Sequence, residues 1–137
     1  MRIRVALREG QEKLKRNNIE SSLLDSEILI SRAMRSDRKF IILNSDKEIK
    51  KENYNYYKKL ISERAKGKPI AYLTGKKDFW KYEFNINEGV LIPRPETELI
   101  IENALKIFKN KSKINLLDIG TGSGCILLSI LKEKKNF

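Results

Sequence analysis

The sequence predicts an α + α/β architecture, in which an N-terminal helical bundle precedes a β-hairpin and the opening strand and helix of an open α/β sheet. Three observations carry this. Apolar residues follow a helical period up to about residue 75, the period changes to two after Phe79, and an apolar run at 114–119 leads into a glycine loop. Residues 1–75 are read as a helical domain, 76–93 as a hairpin linker, and 94–137 as the incomplete start of a third, α/β region.

Composition narrows the class. The 137 residues are 40% apolar and 34% charged, which suits a globular chain with a core. No apolar run reaches the ~20 residues a membrane span needs. The basic N-terminus has no apolar stretch and no small-residue cleavage site, so no secretory leader is expected. One cysteine excludes an internal disulfide, and the absence of histidine removes the usual metal ligand, so no metal site is expected. A cytoplasmic location follows as an expectation. The net charge of +11 fits either an acidic partner such as nucleic acid or a solvated lysine surface. Lysines spread along the chain without an arginine tract favour the second, and no nucleic-acid partner is expected.

In chain order, residues 3–16 place Val5, Ala6, Leu7 and Leu14 among charges as a weak amphipathic helix. Ser22 with Asp25 makes a capping-box pattern before Ile28, Leu29, Ala33 and Met34. Phe40 to Leu43 is a short apolar knot. Ser45 with Glu48 repeats the capping pattern, and Tyr54, Tyr57, Leu60 and Ile61 share a face of a helix ended by Gly67 and Pro69. Trp80, Tyr82, Phe84 and Ile86 alternate with polar residues as one strand, and Val90 to Ile92 is expected to pair back on it across Asn87-Glu88-Gly89. Pro95 opens a helix whose apolar side is Leu99, Ile100, Ala104, Leu105 and Phe108. The strand Ile114–Ile119, the glycine loop and a helix from Cys125 to about Lys134 complete the pattern.

The loop reads Asp118-Ile119-Gly120-Thr121-Gly122-Ser123-Gly124. Glycines here let the backbone turn sharply and let a ligand lie against the main chain, with the helix N–H groups behind it. The dinucleotide spacing G-x-G-x-x-G fails, because its third glycine falls on Cys125. The phosphate-loop spacing G-x-x-x-x-G-K-[ST] fails too, since no Lys-Ser or Lys-Thr follows. An acidic residue followed by x-G-x-G-x-G is the first motif of S-adenosylmethionine (SAM) methyltransferases, and this loop matches it fully. Candidate cofactor residues are Gly120, Thr121, Gly122, Ser123, Gly124 and Asp118, the last at the carboxyl end of the expected strand. A tight glycine turn without a ligand, and a helix-start carboxylate role for Asp118, are the alternatives.

Further segments add to this loop: Arg64-Ala65-Lys66-Gly67-Lys68-Pro69-Ile70-Ala71-Tyr72-Leu73-Thr74-Gly75, then Phe79-Trp80, then Leu91-Ile92-Pro93-Arg94-Pro95-Glu96-Thr97-Glu98. In this order the chain from Arg64 to Leu131 resembles the PrmC/HemK family, the glutamine N5-methyltransferases of peptide-chain release factors. The resemblance implies a helical domain that helps grip a class I release factor, a hairpin linker, and a Rossmann-like domain that binds SAM. It also places Arg94, Glu96 and Thr97 near the cofactor. For Arg94 and Glu96 the competing role is helix-start electrostatics. Phe79 and Trp80 read as core anchors of the hairpin, and Cys125 as a small packing residue.

An amide nitrogen is a poor nucleophile, so such an enzyme has to hold it in line with the methyl group and accept hydrogen bonds from its protons. The resemblance assigns this to an Asn-Pro-Pro-Tyr motif. None occurs here, so no catalytic residue is expected within the chain. A lone strand and helix cannot close a parallel sheet. The expectation is therefore the front half of such an enzyme, with the remaining residues beyond Phe137, and neither tight SAM binding nor methyl transfer by this chain alone. Two other readings stay open: an amino-methyltransferase of nucleic-acid bases, and a non-enzymatic fragment that binds release factors.

Overall fold

In the computed structural model, which describes residues 1–111 and 113–134, the chain divides after Thr74 into two units. The first contains five helices: α1 (Ile3–Arg16), α2 (Ser22–Met34), α3 (Arg38–Leu43), α4 (Lys51–Ala65) and α5 (Ile70–Thr74). Its core gathers Ile3, Ala6, Leu14, Leu29, Ile30, Ile41, Ile49, Tyr57, Leu60 and Ile61.

Gly10 explains how closely α1, α2 and α4 approach. A Cβ there would lie 1.9 Å from the Tyr57 hydroxyl oxygen and 2.9 Å from Ser26 Oγ. The Ser26 hydroxyl donates to Leu7 O at 3.0 Å, so its oxygen accepts the Tyr57 proton at 2.5 Å. Each polar atom at this crossing is thereby satisfied. The buried face of α1 is Ile3, Ala6, Gly10 and Leu14, and Val5 is exposed. Val5, expected on the apolar side, faces solvent because the close contact with α2 and α4 requires the glycine at position 10 on the inner face.

Neither expected capping box forms. Ser21 occupies the cap of α2, and Asp25 accepts from Ser21 Oγ at 2.9 Å and from Arg64 Nε at 2.7 Å. Asp25 thus serves a buried bridge from α2 to α4, and Arg64 Nη1 also donates to Lys68 O. Ser45 and Glu48 precede α4 by too far. Their backbone instead meets the N-terminus: Arg4 N–H donates to Ser45 O, Ile3 N–H to Lys47 O, and Arg2 bridges Glu48. Donors that α1 leaves unpaired at its start are satisfied this way. The apolar knot at 40–43 is α3, capped by the Asp37 carboxylate, which accepts from Phe40 N–H.

The second unit, from Gly75, holds β1 (Lys76–Phe79) and β2 (Tyr82–Asn85), a short 3₁₀ turn at Pro95–Thr97, α6 (Glu98–Ile107) and α7 (Cys125–Glu133). The strands pair antiparallel, with Lys76 opposite Asn85 and Phe79 opposite Tyr82. The expected single strand is thus broken at Trp80-Lys81, and Val90 to Ile92 forms no strand, its Val90 N–H turning back to Asn87 O. Phe79 and Phe84 stack edge-on beside buried Ile86. On α6 the buried residue is Ile101, while Leu99 and Ile100 are exposed, so the apolar stripe runs 101, 104, 105, 108.

Residues 114–119 form no strand among the described residues. Leu117 and Ile119 are 81% and 87% exposed, because no neighbouring strand pairs with this backbone. The described residues therefore form helices and a two-stranded antiparallel hairpin, and no parallel sheet is present among them.

The Gly10→Ala substitution sets a gain of about 1 kcal/mol in helix propensity against a clash with Tyr57. The clash is expected to win, with a net loss of about 2–4 kcal/mol in chemical denaturation. A double-mutant cycle with Tyr57→Phe is expected to recover part of it. Burial pushes the Tyr57 hydroxyl up to about 12, against a contact with Ser26 that lowers it. The unfolded chain releases this proton near 10, so stability from Tyr57 is complete below pH 10 and is lost as pH rises through 12. Tyr57→Phe is expected to flatten that part of the stability profile. Asp25→Ala is expected to cost about 1–3 kcal/mol by leaving the partly buried Arg64 without its carboxylate partner, with Lys68 O as its remaining acceptor.

Candidate functional site

The glycine loop takes the backbone its residues permit. Gly120, Gly122 and Gly124 have φ of +77°, +57° and +75°, in the left-handed region that costs side-chain-bearing residues roughly 1–2 kcal/mol each. A Cβ at Gly120 would meet nothing within 4 Å, so the space beside the main chain is open. Gly124 caps α7 without a side-chain bond, leaving the first N–H groups of that helix turned toward the loop. Inside the loop, Thr121 Oγ1 donates to Asp118 Oδ2 at 3.0 Å and Gly124 N–H to Thr121 O at 2.8 Å. Asp118 thus orders the loop from its own side. Ser123 Oγ is buried and has no hydrogen-bond partner among the described residues.

Arg94, Glu96 and Thr97 lie on the 3₁₀ turn before α6. Arg94 and Glu96 are exposed, and Thr97 N–H donates to Arg94 O at 3.0 Å. Among the described residues, no hydrogen bond or ion pair joins these three to the glycine loop. Cys125 is buried at the start of α7 as a free thiol, in a packing position.

Two glutamates hold the hairpin turn: Glu98, from the Leu91–Glu98 segment at the start of α6, and Glu133, which no sequence motif marks. Trp80 adopts φ +57°, and its backbone N–H donates to Glu98 Oε1 at 2.7 Å. Its indole Nε1 donates to Glu133 Oε1 at 3.0 Å, Tyr82 Oη to the same oxygen at 3.1 Å, and Lys81 Nζ to Glu133 Oε2 at 2.9 Å. The Lys81 ammonium, then the Trp80 indole, hold the Glu133 carboxyl below the usual glutamate value, against a smaller effect of burial. Phe79-Trp80-Lys81-Tyr82 contains no customary turn residue, and Glu133 lies between two lysines, so the indole's need for an acceptor is the single local sign of this contact.

With this geometry in hand, similarity to known proteins decides the family. Residues 5–75 match the PrmC N-terminal domain. The chain belongs to the PrmC family. It is 41% identical over 132 residues to a release factor glutamine methyltransferase of Leptospira interrogans, covering 96% of this chain and 46% of that protein. Proteins of the same name from Clostridium botulinum and Clostridium acetobutylicum are 40% and 39% identical, over 89% and 99% of this chain and 43% and 48% of theirs. The chain thus spans just under half the length of these PrmC relatives. No helix among the described residues is long and apolar enough to cross a membrane.

Because the Glu133 carboxyl is lowered on folding, its contribution is complete above the ordinary value of 4.5 and is lost as pH falls through the folded value. Trp80, the single tryptophan, reports this directly. Its emission is expected to shift on acidification in the parent chain, and the same titration of Glu133→Gln is expected to lack that step.

Proposed function

We propose that this chain carries the substrate-gripping helices and the cofactor loop of a SAM-dependent enzyme that methylates the side-chain amide of glutamine in class I release factors. The observation that carries the reading is the glycine loop: three left-handed glycines, open space beside Gly120, and an uncapped helix start behind them. The match of residues 5–75 and the relatives' names point the same way for the helical unit and its substrate.

When bound, SAM supplies a methyl group on a positively charged sulfur. Gly120 and Gly122 would let its adenosyl portion lie against the main chain, since neither presents a Cβ. The Asp118–Thr121 hydrogen bond would hold the loop in shape while α7 presents N–H donors to ligand oxygens. Arg94, Glu96 and Thr97 would approach the cofactor from the segment before α6. The glutamine amide needs acceptors for its two protons, and the Asn-Pro-Pro-Tyr segment that would provide them is not in this sequence. We therefore assign binding and positioning to this chain and methyl transfer to the complete enzyme. This part of the work is cytoplasmic, as translation termination requires.

Amide spectra of the labelled chain titrated with SAM test this. Saturable shifts confined to Gly120–Gly124, with a Kd in the millimolar range (about −4 kcal/mol), are expected. Gly122→Val is expected to abolish them. Shifts that avoid the loop would refute the cofactor assignment, and micromolar binding would refute the division of labour.

A further inference from the structure

We infer that Glu133 is the positioning residue of the glycine loop, acting from the far end of α7. Residues 113–118 join no ladder among the described residues, so the loop's ordered attachment is the helix that follows it. That helix is nine residues long, a rod of about 13 Å, and a small tilt at one end displaces the other. At its C-terminal end Glu133 accepts from three successive residues of the hairpin turn, Trp80, Lys81 and Tyr82, with its side chain only 19% exposed.

The turn is not free to follow α7. Trp80 N–H is bound to Glu98 at the first turn of α6, directly after the segment holding Arg94, Glu96 and Thr97. Through Trp80, Glu133 therefore ties the helix behind the loop to the start of the helix behind that segment. Lys134 Nζ adds a tie from the same end of α7 to Phe108 O at the close of α6. Glu133 fixes the angle between the two helices from which the two candidate cofactor segments project. Its functional meaning rests on the cofactor reading above, but its effect on loop order does not.

The test is ¹⁵N relaxation on the 137-residue chain without ligand. In the parent chain the amides of Gly120, Gly122 and Gly124 are expected to have order parameters near ~0.8, falling below ~0.6 in Glu133→Ala while residues 1–74 stay unchanged. Glu133→Gln keeps an oxygen for the indole and phenol donors and is expected to restore most of the order. If order falls at the hairpin and the loop stays rigid, Glu133 only staples the hairpin and the inference is wrong. If Glu133→Ala unfolds the second unit, Trp80→Phe, which deletes a single donor, decides by the same readout. Loss of loop order on mutation, combined with no SAM shifts in the parent chain, would sink the cofactor reading and leave the positioning role standing.

Discussion

At Gly10 the backbone of α1 rests against the Tyr57 hydroxyl and Ser26 Oγ, closer than any side chain would permit. The three helices can cross there because one residue lacks a Cβ and because the polar atoms brought together form a chain from Tyr57 to Ser26 to Leu7 O. The apolar core then closes around the crossing, with Leu14, Leu29, Ile30 and Ile61 buried. Away from it, the Asp25–Arg64 pair fixes α2 on α4. A glycine inside a helix lowers helix propensity, and here that loss is offset by packing that the alternative residues would forbid.

The second unit is organised by carboxylates. Its hairpin turns at a tryptophan in the left-handed region, a conformation that local preference opposes. Glu98 and Glu133 reach that turn from the start of α6 and the end of α7, supplying acceptors that compensate for the strain. Lysines sharpen the arrangement: Lys81 pairs with Glu133, and Lys132 lies 4.4 Å from the Tyr82 ring centre. Part of the large positive charge is thus spent inside the unit.

Legibility in the sequence followed the range of the forces involved. Helices with a clear period were readable, as the Tyr57, Leu60 and Ile61 face of α4 shows. The glycine loop's backbone was readable too, because positive φ is a property of single residues. Features set by distant partners were not. Ser22 and Asp25 fit a local capping pattern, yet Arg64, 39 positions on, claims the carboxylate. The break at Trp80 depends on Glu133, 53 positions away, and local turn preferences carry no trace of it. The apolar run at 114–119 has strand character, but a strand exists only with a neighbour, and none of the described residues provides one.

The helical unit carries the match to the PrmC N-terminal domain, and the second unit carries a loop with three left-handed glycines that leads into α7. The proposed recognition of a class I release factor by the helices is tested most directly by sedimentation velocity of the 137-residue chain mixed with such a factor. A one-to-one complex that survives moderate salt is predicted. Free migration of both proteins, together with a steeply salt-dependent complex with RNA, would contradict the account and favour the nucleic-acid reading.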